Sequence, residues 1–185
     1  MTNEDAHKRL KEFLTGETDE IIFKHPTPHP SQPTGFCHCD ESFSATLRMT
    51  FKGCLLESFL RLPFNRPKLY LLRKMGARIG KDVYISPGVW IDPVYPQLLT
   101  VEDSVFIGMF VRIATHEFRK NEFLAGKVRI RQGAFIGGGA LIGCGLEIGQ
   151  EATVAAGCVL GKNVPPGATA IGNPARIIGR KESQE

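Results

Sequence analysis

The chain has 185 residues, 42% of them hydrophobic, and a formal net charge of +4. That is enough apolar material for one sizeable core, with no apolar run near the roughly 20 residues of a membrane span and no charged-apolar-small leader pattern. The charge is too small and too scattered for a nucleic-acid partner, and five cysteines without framework spacing predict a reducing, cytoplasmic setting.

In chain order, residues 4–14 (EDAHKRLKEFL) read as a short amphipathic helix, acidic early and basic late as the helix dipole prefers. Pro26, Pro28, Pro30 and Pro33 make the next stretch extended or irregular. It carries His25, His29, Cys37, His38 and Cys39. Their spacing fits no tetrahedral zinc motif well, so an irregular arm is the primary reading and a metal site the alternative. Residues 46–75 are apolar and basic, with Pro63 and Pro67 dividing two expected helices. They read as a cap on the open end of a repeat domain; a basic amphipathic surface toward an anionic membrane is the second reading. The expected divisions are an N-terminal helix and Pro-rich arm over 1–45, the cap over 46–77, the repeat over 78–168 and a basic tail over 169–185.

The repeat is the strongest signal. Ile79, Ile85 and Ile91, then Val101, Ile107 and Ile113, then Ile130, Ile136, Ile142, Ile148, Val154 and Leu160 stand six residues apart. The residue after each is mostly small or polar (Gly80, Ser86, Gly108, Gly137), and the fifth position of each hexad is mostly small or β-branched. Glycine and β-branched residues at fixed phase oppose a helix. Stacked short strands in a parallel β-helix answer the period. Grouped as three, three and six, the hexads predict about four coils of three strands, a rod about 19 Å high. The interruptions at Tyr95 to Leu99 and Arg119 to Arg129 then leave from one corner, where a loop does not break the ladders.

His116 is the only histidine in the repeat region, and Glu117 beside it occupies a slot that neighbouring hexads fill with Val or Ala. A rule broken beside a lone histidine, just before the longest loop, marks a candidate site. Imidazole suits a general base because it titrates near working pH. Cys144 and Cys158 sit in small-residue slots and read as packing residues.

Three motifs, RIATHEF at 112–118, GKVRIRQGAFIGGGALIG at 126–143 and AAGCVLGKNVPPGATAIGNPARII at 155–178, resemble the left-handed β-helix hexapeptide acyltransferases, in the maltose, galactoside and xenobiotic O-acetyltransferase branch. The handedness comes from the resemblance alone, since right-handed crossovers are the general rule. The resemblance implies an acetyl-CoA-dependent O-acetyltransferase acting on a sugar-like or other small hydroxyl acceptor, with His116 as general base and no metal. It implies acyl-donor contacts at Phe135, Gly138, Ala156, Gly161, Lys162 and Arg176; cationic side chains suit a donor that carries phosphates. A backbone N–H near Gly138 is implied as the oxyanion donor. Glu117 and Tyr95 are the candidate acceptor contacts. Pro87 stands where sugar-acetylating relatives place a polar residue, and Tyr95–Pro96 where they hold acidic groups, which counts against maltose or galactoside as the acceptor. The resemblance also implies a homotrimer with sites between subunits, and Phe106, Phe110 and Phe135 would give the prism apolar outer faces. The alternatives are a non-catalytic β-helix assembly module and an N-acetyltransferase with an amine acceptor. A three-histidine zinc carbonic anhydrase of this architecture is excluded by the single histidine.

Overall fold

A computed structural model describes residues 9, 12–14, 16, 20–24, 43–119 and 122–179; the His25 to Cys39 group lies outside them. Two helices, α1 (Phe43–Arg61) and α2 (Asn65–Lys74), precede the repeat, after a strand β1 (Glu20–Lys24). Pro67 falls in the first turn of α2, where a missing N–H costs no intrahelical bond, so it begins the helix instead of breaking one.

Short strands then follow in trios: β2 (Arg78–Ile79), β3 (Tyr84–Ile85), β4 (Trp90–Ile91); β5 (Leu99–Val101), β6 (Phe106–Ile107), β7 (Arg112–Ile113). A hairpin of β8 (His116–Arg119) and β9 (Glu122–Gly126) interrupts them. The trios resume with β10 (Val128–Ile130), β11 (Phe135–Ile136), β12 (Leu141–Ile142), then β13 (Glu147–Ile148), β14 (Thr153–Val154), β15 (Val159–Leu160). Like members of each trio pair in parallel, giving three faces in the orders β2-β5-β10-β13, β3-β6-β11-β14 and β4-β7-β12-β15. The chain is therefore a parallel β-helix of prismatic section.

Register explains why a period of six folds this way. Ile91 pairs with Ile113 and Ile142 with Leu160, so each inward aliphatic stacks on its counterpart one trio away. Nearly all of them are fully buried, each worth roughly 1.5–3 kcal/mol relative to exposure. Tight corners demand left-handed backbone: Gly88, Gly139 and Gly157 supply it at the corner between the second and third faces. The same column holds Phe110 at φ 58°.

The second face continues beyond residue 168. β16 (Thr169–Ile171) pairs in parallel with β14, and β17 (Arg176–Ile178) folds back antiparallel on β16. Ala170 takes the inward slot and is buried, so part of the expected tail is structural. At the opposite end, α2 satisfies the open strand edge. Asn65 donates to the Val83 carbonyl at 2.7 Å and accepts from the Ile85 N–H at 3.0 Å. The buried Lys68 ammonium donates to the Ile85 carbonyl at 2.8 Å. A second small core of Phe13, Tyr95, Leu98, Phe123 and Ala125 lies outside the prism, where β1 pairs antiparallel with β9.

Candidate active site

His116 opens β8 as the chain leaves the third face, and Asp92 leaves the same face one trio earlier, directly after β4. Because Ile91 and Ile113 are in register, the two exits are adjacent. Asp92 is fully buried, and His116 retains 16% side-chain exposure. The His116 Nδ1 hydrogen-bonds to Asp92 Oδ2. The same oxygen accepts from the Thr115 hydroxyl at 2.8 Å and the Thr115 N–H at 3.2 Å. The other carboxylate oxygen accepts from the Val94 N–H at 2.9 Å. Burial alone pushes the Asp92 carboxyl up, but bonds from His116, Thr115 and Val94 outweigh it and hold the group below its ordinary value. Asp92 is thus a buried anion held by four donors, one of them the imidazole.

The ring is held on its faces as well. Tyr95 meets it edge-on at 5.4 Å between centroids and Phe123 lies tilted at 5.8 Å. The Tyr95 ring is only 7% exposed, and its carbonyl accepts from the Thr115 hydroxyl at 3.2 Å; Tyr95 packs against His116 and does not stand open to solvent. Glu117 follows His116 on β8 and is half-buried.

The remaining candidates fall into two groups. Gly161 and Lys162 follow β15 and so share the third-face exit with His116, two trios further along. Gly138 and Ala156 lie at the corner between the second and third faces, Phe135 is on the second face, and Arg176 is on β17 beside that face. Among the described residues no protein acceptor is paired with the Gly138 N–H, while its carbonyl accepts from Gly157 N–H at 2.9 Å. Within one chain, then, the imidazole and most of the expected donor contacts sit on different edges of the prism. Phe135 is 46% exposed and stacks on Phe106 at 5.0 Å, which stacks on Tyr84 at 5.4 Å.

Asp92, Thr115 and Phe123 were not singled out from the sequence. A signal for Asp92 was present: the third-face column after the inward aliphatic reads Asp92, Ala114, Gly143, Gly161, one charge among small residues and one trio from the histidine. Cys144 and Cys158 are buried, and burial pushes the Cys158 thiol up, away from the thiolate a nucleophile needs. Among the described residues no group of three or more His, Cys, Asp or Glu is placed to hold a metal ion, and no helix is long and apolar enough to cross a membrane.

No protein-family model matches the chain. It is 36% identical over 124 residues to the Bacillus subtilis (strain 168) protein named "Putative acetyltransferase YvoF", covering 66% of this chain and 72% of that one. Among solved structures, the hexapeptide-repeat acetyltransferase VCA0836 of Vibrio cholerae O1 biovar eltor, complexed with acetyl coenzyme A, superposes with a TM-score of 0.63 at 22% identity, over 78% of this chain and 93% of that one. A galactoside acetyltransferase in complex with coenzyme A gives 0.58 at 16% identity, over 78% and 86%. At those identities the two structures speak to the fold alone.

Proposed function

The chain belongs to the hexapeptide-repeat acetyltransferases, a family of left-handed parallel β-helices, and from that membership we propose that it moves an acetyl group from acetyl-CoA to a hydroxyl of a small, sugar-like acceptor. The observation that carries the reading is the pair formed by His116 and the buried Asp92.

The Asp92 carboxylate binds the Nδ1 side of the imidazole and so assigns proton transfer to Nε2. As the acceptor oxygen attacks the thioester carbonyl, Nε2 takes the hydroxyl proton. The buried anion stabilises the imidazolium that forms. When the carbon–sulfur bond breaks, the imidazolium returns that proton to the departing thiolate. No covalent enzyme intermediate is needed, in keeping with the burial of Cys144 and Cys158. Asp92 touches neither substrate and is a positioning residue; His116 is the catalytic base.

The donor side is built from Phe135, Gly138, Ala156, Gly161, Lys162 and Arg176, with the Gly138 N–H as oxyanion donor. These groups lie largely on a different prism edge from His116, so a second copy of the chain supplies them and the working unit is a homotrimer with sites between subunits. The exposed stack of Tyr84, Phe106 and Phe135, with Met109 and Phe110 exposed nearby in the chain, supports packing of copies through that side.

The test is calorimetric titration with acetyl-CoA followed by coenzyme A release across a panel of hydroxyl and amine acceptors, for the wild type and His116→Ala. Saturable binding near one site per subunit, with transfer to a hydroxyl lost by at least about 10²-fold in the variant, is expected. Unchanged turnover in His116→Ala removes the histidine from the mechanism. A folded protein that binds no acetyl-CoA is an assembly module, and acetylation of amines alone makes it an N-acetyltransferase.

A further inference from the structure

The helical cap and the first corner insertion enclose a cavity of about 460 Å³ that the chemistry above leaves unused. That is within the range of small-molecule sites. Its apolar wall comes from Leu55 on α1, Leu71 on α2, and Pro93 and Val94 on the insertion. Two ammonium groups, Lys52 and Lys74, also line it, and its lining includes no carboxylate. The Lys74 ammonium lies 5.7 Å from the centroid of the Tyr70 ring, while α1 is pinned at Gly53, where an added Cβ would sit 3.4 Å from the Pro93 ring. The cavity is therefore shaped by an element that packs directly on the corner beside the active site.

The insertion is shared between the two sites. Val94 lines the cavity, and its N–H holds Asp92 Oδ1 at 2.9 Å. The next residue, Tyr95, packs edge-on against His116. Asp92 and Val94 are two residues apart, so their Cα atoms are separated by at most about 7 Å. A molecule seated against Pro93 and Val94 therefore touches the segment that carries the imidazole's partner.

The geometry points to an acceptor subsite that takes an anionic amphiphile, an apolar body with a phosphate-type group at one end and the reacting hydroxyl at the other. The apolar wall buries the body, and Lys52 and Lys74 bind the anion as two point charges. This assignment rests on the acetyl-transfer reading of His116. It also agrees with the absence of sugar-type polar contacts at Pro87 and Tyr95–Pro96: an acceptor gripped by its far end needs few of them.

The experiment uses the full chain and two stages. First, octyl phosphate, octanol and inorganic phosphate are titrated calorimetrically into the wild type and the Lys52→Gln/Lys74→Gln double variant. Saturable binding of octyl phosphate, weakened about tenfold or more in the double variant and matched by neither octanol nor phosphate alone, is expected. No binding, equal binding of octanol, or binding indifferent to the two lysines overturns the proposal. So does binding to phosphatidylglycerol vesicles without binding of dispersed octyl phosphate, which makes the basic cap a membrane surface. Second, 8-hydroxyoctyl phosphate is offered with acetyl-CoA. Its acetylation, inhibited competitively by octyl phosphate, establishes the acceptor role; transfer to other alcohols unaffected by bound octyl phosphate overturns it. Lysine-dependent binding with no transfer to any acceptor upholds the cavity and counts instead against the acetyl-transfer chemistry.

Discussion

Replacing Asp92 by Asn separates charge from shape at the buried centre of the site. The carboxylate accepts four bonds, from Val94 on one oxygen and from Thr115 and His116 on the other. An amide keeps one acceptor oxygen and turns the other position into a donor. The best orientation keeps the oxygen on the Thr115 and His116 side and turns the NH2 toward the Val94 N–H. That leaves two buried donors, the Val94 N–H and the new amide NH2, facing each other without an acceptor, at about 1–3 kcal/mol each, or several degrees of Tm in a domain of this size. The catalytic loss is larger than a fold defect of that size would give. Removing the orienting anion from a histidine-centred unit costs up to about 10⁴-fold in kcat, but Tyr95 and Phe123 still brace the ring here. The expected loss is about 10²–10³-fold in kcat, or roughly 2.7–4 kcal/mol of transition-state stabilisation, with acetyl-CoA affinity retained. The assay is steady-state coenzyme A release beside calorimetric donor binding and thermal melting. A folded Asp92→Asn protein with wild-type kcat would refute the reasoning, because the anion would then do nothing for the base.

The depressed Asp92 pKa also fixes a sign. A carboxyl with a lower pKa folded than unfolded contributes stability that is complete above the ordinary carboxylate pKa and is lost as pH falls through the folded value. Denaturant midpoints measured from pH 7 down to acid should therefore fall below about pH 4, and less steeply in Asp92→Asn; parallel curves would contradict it. In the prism core, Ile142 is fully buried and paired with Ile113 and Leu160. Ile142→Ala is expected to cost about 2–5 kcal/mol by urea denaturation, and a loss under 1 kcal/mol would mean that the coils collapse around the gap. Phe106, sandwiched between Tyr84 and Phe135 on the exposed second face, is the place to test assembly. Phe106→Glu should dissociate the proposed trimer in light scattering while leaving circular dichroism unchanged, and an assembly of unchanged mass would place any subunit contact elsewhere.

The sequence determined the architecture because hexapeptide periodicity is a local rule repeated: each inward aliphatic from Ile79 to Leu160 can be buried only by stacking on the next. His116 was legible for the same reason, as a departure from a strict pattern. Asp92 was legible only in part. Its charge breaks the third-face column, but the column has to be aligned across coils before Asp92 and His116 become neighbours, and that alignment is register. The resemblance makes Tyr95 a candidate acceptor contact; what only the structure adds is that its ring packs against Phe123 and His116, since a loop at this corner builds an apolar core of its own with Phe13 and Leu98. The cavity beneath α1 could not be read at all, because its walls come from residues about 40 positions apart along the chain and meet only when the cap docks. Sequence by itself settles what recurs every six residues, whereas tertiary structure alone decides which distant charges and rings share a corner, because no short-range rule records how elements dock.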